Sequence, residues 1–96
     1  MPDTHQYRSS LLIIHSILEL LLRAGEDGLV KTQIYADLGL KTGVGEKYLD
    51  QLVSAEYITI NEEVWGKERT RQRVNITPLG RQRFEWFIKL TKELKI

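Results

Sequence analysis

Between Glu62 and Phe84 the chain reads EEVWGKERTRQRVNITPLGRQRF, with cations at Lys67, Arg69, Arg71 and Arg73, every second position, and again at Arg81 and Arg83. Side chains two apart on an extended strand project to the same side. Four cations in that pattern form a ribbon suited to a row of phosphates. Guanidinium groups hold phosphate oxygens in pairs, and the counterions released make such binding fall steeply with salt. The plain alternative is a solvated hairpin whose charges discourage edge pairing. An ordinary solvated strand mixes signs, whereas here Glu68 alone stands against the four cations.

The formal net charge of +1 conceals this concentration: residues 66–83 carry a balance of +5, and residues 1–48 a balance of −1. Local field decides what a surface attracts. Other chemistry is hard to assemble. His5 and His15 have no metal-ligand spacing to a carboxylate pair, and Ser9, Ser10 and His15 do not make a triad. The glycines of TGVGEK follow no strand and have the wrong spacing for a phosphate loop. The expectation is no enzyme, no metal, no cofactor and no evident small-molecule ligand.

Ninety-six residues, 42% hydrophobic and 28% charged, suit one globular domain. The chain has no cysteine, which fits a reducing compartment. LLIIHSILELLL is interrupted by His15, Ser16 and Glu19 and falls short of a bilayer span. The first ten residues do not read as a signal peptide. A soluble protein without a membrane partner is expected, in the cytoplasm: nucleoid-associated, or in a host's cytoplasm if viral.

The elements that must position the cations follow from periodicity. A helix is predicted over residues 7–24, its apolar residues covering about half the circumference, with His15, Glu19 and Arg23 opposite. A second helix spans 31–39 and a third 43–55, joined by a tight turn with glycine. Thr42 or Gly43 would cap the third, with Glu46 reaching back. Over 57–77 the period falls to two. Ile58, Ile60, Glu62 and Val64 share one face, Val74 and Ile76 point inward, and Arg71, Arg73 and Asn75 point outward. Thr77 before Pro78 starts a last helix over 78–95. The expected fold class is mainly α with a β-hairpin (α+β): a winged helix-turn-helix, with a three-helix core, a two-stranded wing and a C-terminal helix.

In that architecture the third helix is the reader. Leu49, Leu52 and Val53 face the core; Thr42, Gly43, Gly45, Glu46, Lys47, Asp50 and Gln51 point away. Lys47 and Gln51 suit base edges, and Lys41 and Thr42 suit phosphate near the helix start. Glu46 and Asp50 would repel phosphate, so base reading and a purely structural helix both stay open. Lys31, Thr32 and Gln33 form a plausible phosphate anchor at the second helix, although capping explains Thr32 equally well. On the last helix Leu79, Trp86, Phe87, Leu90 and Leu94, extended by Phe84 and Ile88, span about 200°. One side of a small core cannot bury so wide an arc, so Phe84, Trp86, Phe87, Leu90 and Leu94 are expected to form a dimer seam. Burial within one chain is the alternative.

KTQIYADLGL, YLDQLVSAEYITI and ITPLGRQRF resemble the pattern of small archaeal winged-helix DNA-binding proteins, a group of chromatin proteins and regulators of crenarchaea, their viruses and plasmids. The resemblance implies a homodimer joined through the C-terminal helices. It also implies DNA held by the third helix, at Lys41, Thr42, Lys47 and Gln51, and by the wing from Lys67 to Arg73. The last helix is shorter than in some members and the wing more basic. The expected function is sequence-specific binding of double-stranded DNA by a homodimeric transcription regulator. A non-specific architectural protein and a protein-interaction module are the alternatives.

Overall fold

The computed structural model describes residues 4–95, with side chains from residue 10 onward. The readings made on residues 1–3 and on the side chains of His5 and Ser9 lie outside the described residues. Helix α1 (Thr4–Ala24) is followed by a single 3-10 turn (Gly25–Asp27) and a two-residue strand β1 (Leu29–Val30). Helices α2 (Lys31–Leu38) and α3 (Thr42–Ser54) come next, then strands β2 (Ile58–Val64) and β3 (Thr70–Ile76), and helix α4 (Pro78–Leu94).

The core lies where α1, α2, α3 and the base of the hairpin meet. Ile17, Leu21, Ile34, Leu49, Ile58 and Val74 are fully buried there, each such side chain contributing about 1.5–3 kcal/mol. Ile17 and Leu21 are one helical turn apart, the spacing that puts both on one face of α1. Gly39 closes α2 in the left-handed region (φ 64°), its N–H directed to the carbonyls of Tyr35 and Ala36, as the sequence suggests. Gly45 on α3 lies against the ring of Tyr35 on α2. The absence of a side chain there lets the two helices close into the helix-turn-helix.

The expected two-stranded wing is part of a three-stranded antiparallel sheet in the order β1-β3-β2. Leu29 and Val30 pair with Val74 and Arg73, a strand too short to show a period in the sequence. The hairpin is tight, and the polar stretch GKERT (residues 66–70) is only partly turn. Val64 pairs with Thr70, and the Trp65 N–H donates to the Arg69 carbonyl at 2.9 Å. Only Gly66 to Glu68 remain as the bend, with positive φ at Gly66 and Glu68.

Thr77 joins three elements. Its hydroxyl donates to the Glu56 carbonyl at 2.6 Å and accepts from the Gly80 N–H at 2.9 Å. Its own N–H donates to the Tyr57 carbonyl at 2.9 Å. The cap read from Thr77-Pro78 therefore also ties α4 to the corner between α3 and β2.

Candidate nucleic-acid interface

The face of α3 away from the core exposes Thr42, Gly43, Lys47, Asp50 and Gln51. Lys41 is the N-cap residue and makes no side-chain capping bond, so the first N–H groups of the helix are not covered by a cap. The capping pair expected from Thr42 or Gly43 with Glu46 is absent. Glu46 instead binds Lys31 of α2, its two oxygens 3.1 and 3.0 Å from Nζ. Gly45 is buried against Tyr35 and does not point away, while Val53, expected inside, is 41% exposed. Tyr48 is buried with Leu49 and Leu52, its hydroxyl 2.8 Å from that of Ser10.

The phosphate anchor expected on α2 is partly engaged within the chain. Lys31 is only 15% exposed and committed to Glu46. Gln33 is exposed but donates to Asp37 at 2.9 Å. Thr32 caps nothing, because the N-cap residue is Val30. The Tyr35 hydroxyl, buried below, has no hydrogen-bond partner among the described residues. Burial and then the charge of nearby Glu46 push its pKa up to about 12.

On the wing, Arg69 and Arg71 flank the Trp65 ring and Arg71 and Arg73 share Glu63, so two of the four cations are spoken for. Glu63 sits directly across from Arg71. The Glu63 carboxylate accepts from Arg71 Nε at 2.6 Å and from Arg73 Nε and Nη2 at 3.0 and 2.9 Å. Arg73 also donates to the Asp27 carbonyl at 2.9 Å, and Asn75 to the Glu26 carbonyl at 2.9 Å. Arg73 and Asn75 thus bind the base of the wing to the 3-10 turn. Arg71 and Arg73 are therefore not an open phosphate ribbon. Glu68 is not the sole opposing anion, because the Glu63 carboxylate lies across the strand from Arg71. Lys67 and Arg69, at the tip, make no salt bridge among the described residues.

Hydrogen bonds from Arg73 and then Arg71 lower the Glu63 pKa from its ordinary 4.5 to about 2. A depressed carboxylate stabilises the fold fully above its unfolded value and loses that contribution as pH falls toward the folded one. Denaturant unfolding should therefore find wild type more stable than Glu63→Gln at neutral pH, the difference closing between pH 4.5 and about 2. A gap that persists unchanged at the acid end would mean the arginines do not hold the charged form.

The third feature is apolar. Leu11 and Leu12 on α1, with Trp86 and Leu94 on α4, are exposed. Leu11, Ile14, Trp86 and Phe87 line a cavity of about 190 Å³ between the two helices. His15, placed by the sequence on the polar side of α1, lies instead against Phe84 and Phe87, with ring centroids 4.8 and 5.5 Å apart. Helix α1 is covered on two sides, by the core and by α4, which accounts for its overwide apolar arc. Of the expected seam residues, Trp86 and Leu94 are exposed and Phe84, Phe87 and Leu90 are half-buried. No helix among the described residues is long and apolar enough to cross a membrane.

A family model described as winged helix-turn-helix matches residues 7–95. Among solved structures, Sso10a-2, a DNA-binding protein from Sulfolobus solfataricus, is 31% identical with a TM-score of 0.59, over 86% of this chain and 81% of that one. A transcriptional regulator homologue from Pyrococcus horikoshii is 19% identical with a TM-score of 0.71, over 96% and 86% of the two chains. A mutant of S. aureus MepR bound to an oligodeoxyribonucleotide is 19% identical with a TM-score of 0.73, over 86% of this chain. The chain spans 59% of the length of that MepR protein. The last two likenesses concern the fold. No curated protein sequence matches.

Proposed function

The chain belongs to the winged helix-turn-helix family, and from that premise we propose that it is a homodimeric transcription regulator that binds double-stranded DNA at specific sequences. The observation that carries the reading is the pair of cations without salt bridges at the wing tip, Lys67 and Arg69, on a fold whose third helix is free on its outer face. Helix α3 offers Lys47 and Gln51 to base edges in the major groove. Lys41, Thr42 and Gly43 at its uncapped start take phosphate, with Thr32 and Gln33 of α2 in support. The wing tip takes the flanking backbone or minor groove. The exposed leucines and Trp86 of α1 and α4 support a homodimer, which would present two such helices to successive grooves.

Salt dependence separates the roles within the wing, since each phosphate contact adds about 0.9 to the slope of log affinity against log salt. The double change Lys67→Ala with Arg69→Ala should flatten the slope for a duplex by about two per engaged protomer. Arg71→Ala with Arg73→Ala should leave it nearly unchanged, and Glu63→Gln, which frees two guanidiniums, should steepen it. Equal flattening by both double variants would return Arg71 and Arg73 to the phosphate surface.

A sequence-indifferent architectural protein is the second reading, favoured by one observation. Asp50 stands beside Lys47 and Gln51 on the exposed face of α3, which leaves little for base reading, while the tip cations grip backbone alone. Selection from a random duplex pool decides: a regulator enriches a paired half-site, and an architectural protein enriches nothing.

A further inference from the structure

The outward face of the hairpin is a ladder of two columns, Asn61, Glu63 and Trp65 on one strand and Arg73, Arg71 and Arg69 on the other. Asn61 is across from Arg73 and Glu63 from Arg71, and the bond from the Trp65 N–H to the Arg69 carbonyl continues the series. Below the top rung, Glu63 holds both Arg71 and Arg73. The top rung is different. The guanidinium carbons of Arg69 and Arg71 lie 5.7 and 5.2 Å from the centre of the Trp65 ring. Even so, Trp65 is 44% exposed.

An indole adds little to a phosphate grip, and duplex bases keep their faces stacked on one another. A cation-flanked, half-exposed aromatic ring suits a different ligand: a base whose face is free and whose backbone is charged. Stacking of that kind is tolerant of sequence because every base has a π-face, and the flanking cations hold the backbone. Because Glu63 engages both Arg71 and Arg73 and cancels one of their two charges, much of the attraction to a backbone falls to Lys67 and Arg69. Stacking must then supply a large share of the affinity.

We propose that this rung binds unpaired nucleotides of single-stranded DNA, with Trp65 as the stacking platform, Arg69 flanking the base and Lys67 holding phosphate. The site stands beyond the duplex reading and does not require α3.

The probe is a fluorescently labelled oligo-dT of about 15 nucleotides, long enough for one such site, titrated into the full chain. Binding is expected to quench the tryptophan emission of wild type. Trp65→Ala should weaken binding about tenfold, the size of one lost base–aromatic stack. Trp65→Phe, which keeps a ring and preserves the hairpin, should bind nearly as wild type but without the quench, since Trp86 is then the remaining indole. Equal affinity for wild type and Trp65→Ala, or no binding of oligo-dT by wild type, overturns the proposal. Duplex binding by the same samples keeps the two readings apart. Intact duplex affinity without oligo-dT binding defeats this site alone, and oligo-dT binding without duplex affinity supports it while defeating the regulator.

Discussion

Gly80→Ala is expected to lower stability by about 3 kcal/mol, the upper end of what overpacking costs, and the thermal midpoint by about 15 °C for a domain of this size. A Cβ at Gly80 would stand 2.1 Å from the Tyr57 carbonyl oxygen, 2.9 Å from its carbon and 3.0 Å from Cγ1 of Ile76. The obstacle is backbone, and it cannot swing aside. That carbonyl already accepts from the Thr77 N–H at 2.9 Å, and Thr77 in turn holds Gly80 and Glu56. Relief therefore means lifting the whole start of α4 from the β2 corner. Gly45→Ala meets the ring of Tyr35, which is buried between α2 and α3, and should also destabilise, by about 1–3 kcal/mol. Gly43→Ala meets nothing within 4 Å and should stabilise α3 by up to about 1 kcal/mol through helix propensity. Thermal melts by circular dichroism rank the three. A loss below about 1 kcal/mol at Gly80 would show that α4 is not seated where the structure puts it.

Glycine at position 80 was legible as part of a helix start, but its steric role was not. The same division runs through the molecule. Periodicity finds elements: the 3.6-residue spacing of Ile17 and Leu21 and the alternation of Val74 and Ile76 need no partner to be read. Contacts depend on register and crossing angle, which the pattern of one segment does not contain. Glu63 opposes Arg71 because a three-residue bend pairs Trp65 with Arg69; a five-residue turn would have shifted the pairing. That register is what brings one carboxylate between two arginines. Lys31 meets Glu46 only after Gly45 lets α3 close on Tyr35. His15 failed for a further reason. A helical wheel assigns one buried side, and α1 has two.

Charging the apolar face between α1 and α4 is expected to have the largest effect on DNA binding. Leu11 and Trp86 line the same cavity, and Trp86 is 58% exposed. Leu11→Glu with Trp86→Glu therefore removes little packing within one chain, and exposed changes of this kind alter stability by about 0.5 kcal/mol or less. Scattered exposed apolar residues are ordinary on a protein surface. These are gathered on two neighbouring helices beside an apolar cavity, the arrangement that a second copy would cover by symmetry. In the proposed dimer each carboxylate would be buried opposite apolar groups without a partner, a cost of several kcal/mol that dissociation avoids. Light scattering should then report monomer where wild type reports dimer. A duplex carrying two half-sites should lose about 100- to 1,000-fold in affinity, because linked binding at two sites becomes binding at one. A duplex carrying a single half-site should bind the variant nearly as well as wild type, since α3 and the wing tip are untouched. That contrast separates a lost partner from a damaged fold. If the charged variant stays dimeric with full two-site affinity, the seam lies elsewhere, and the cavity between α1 and α4 is not covered by a second chain.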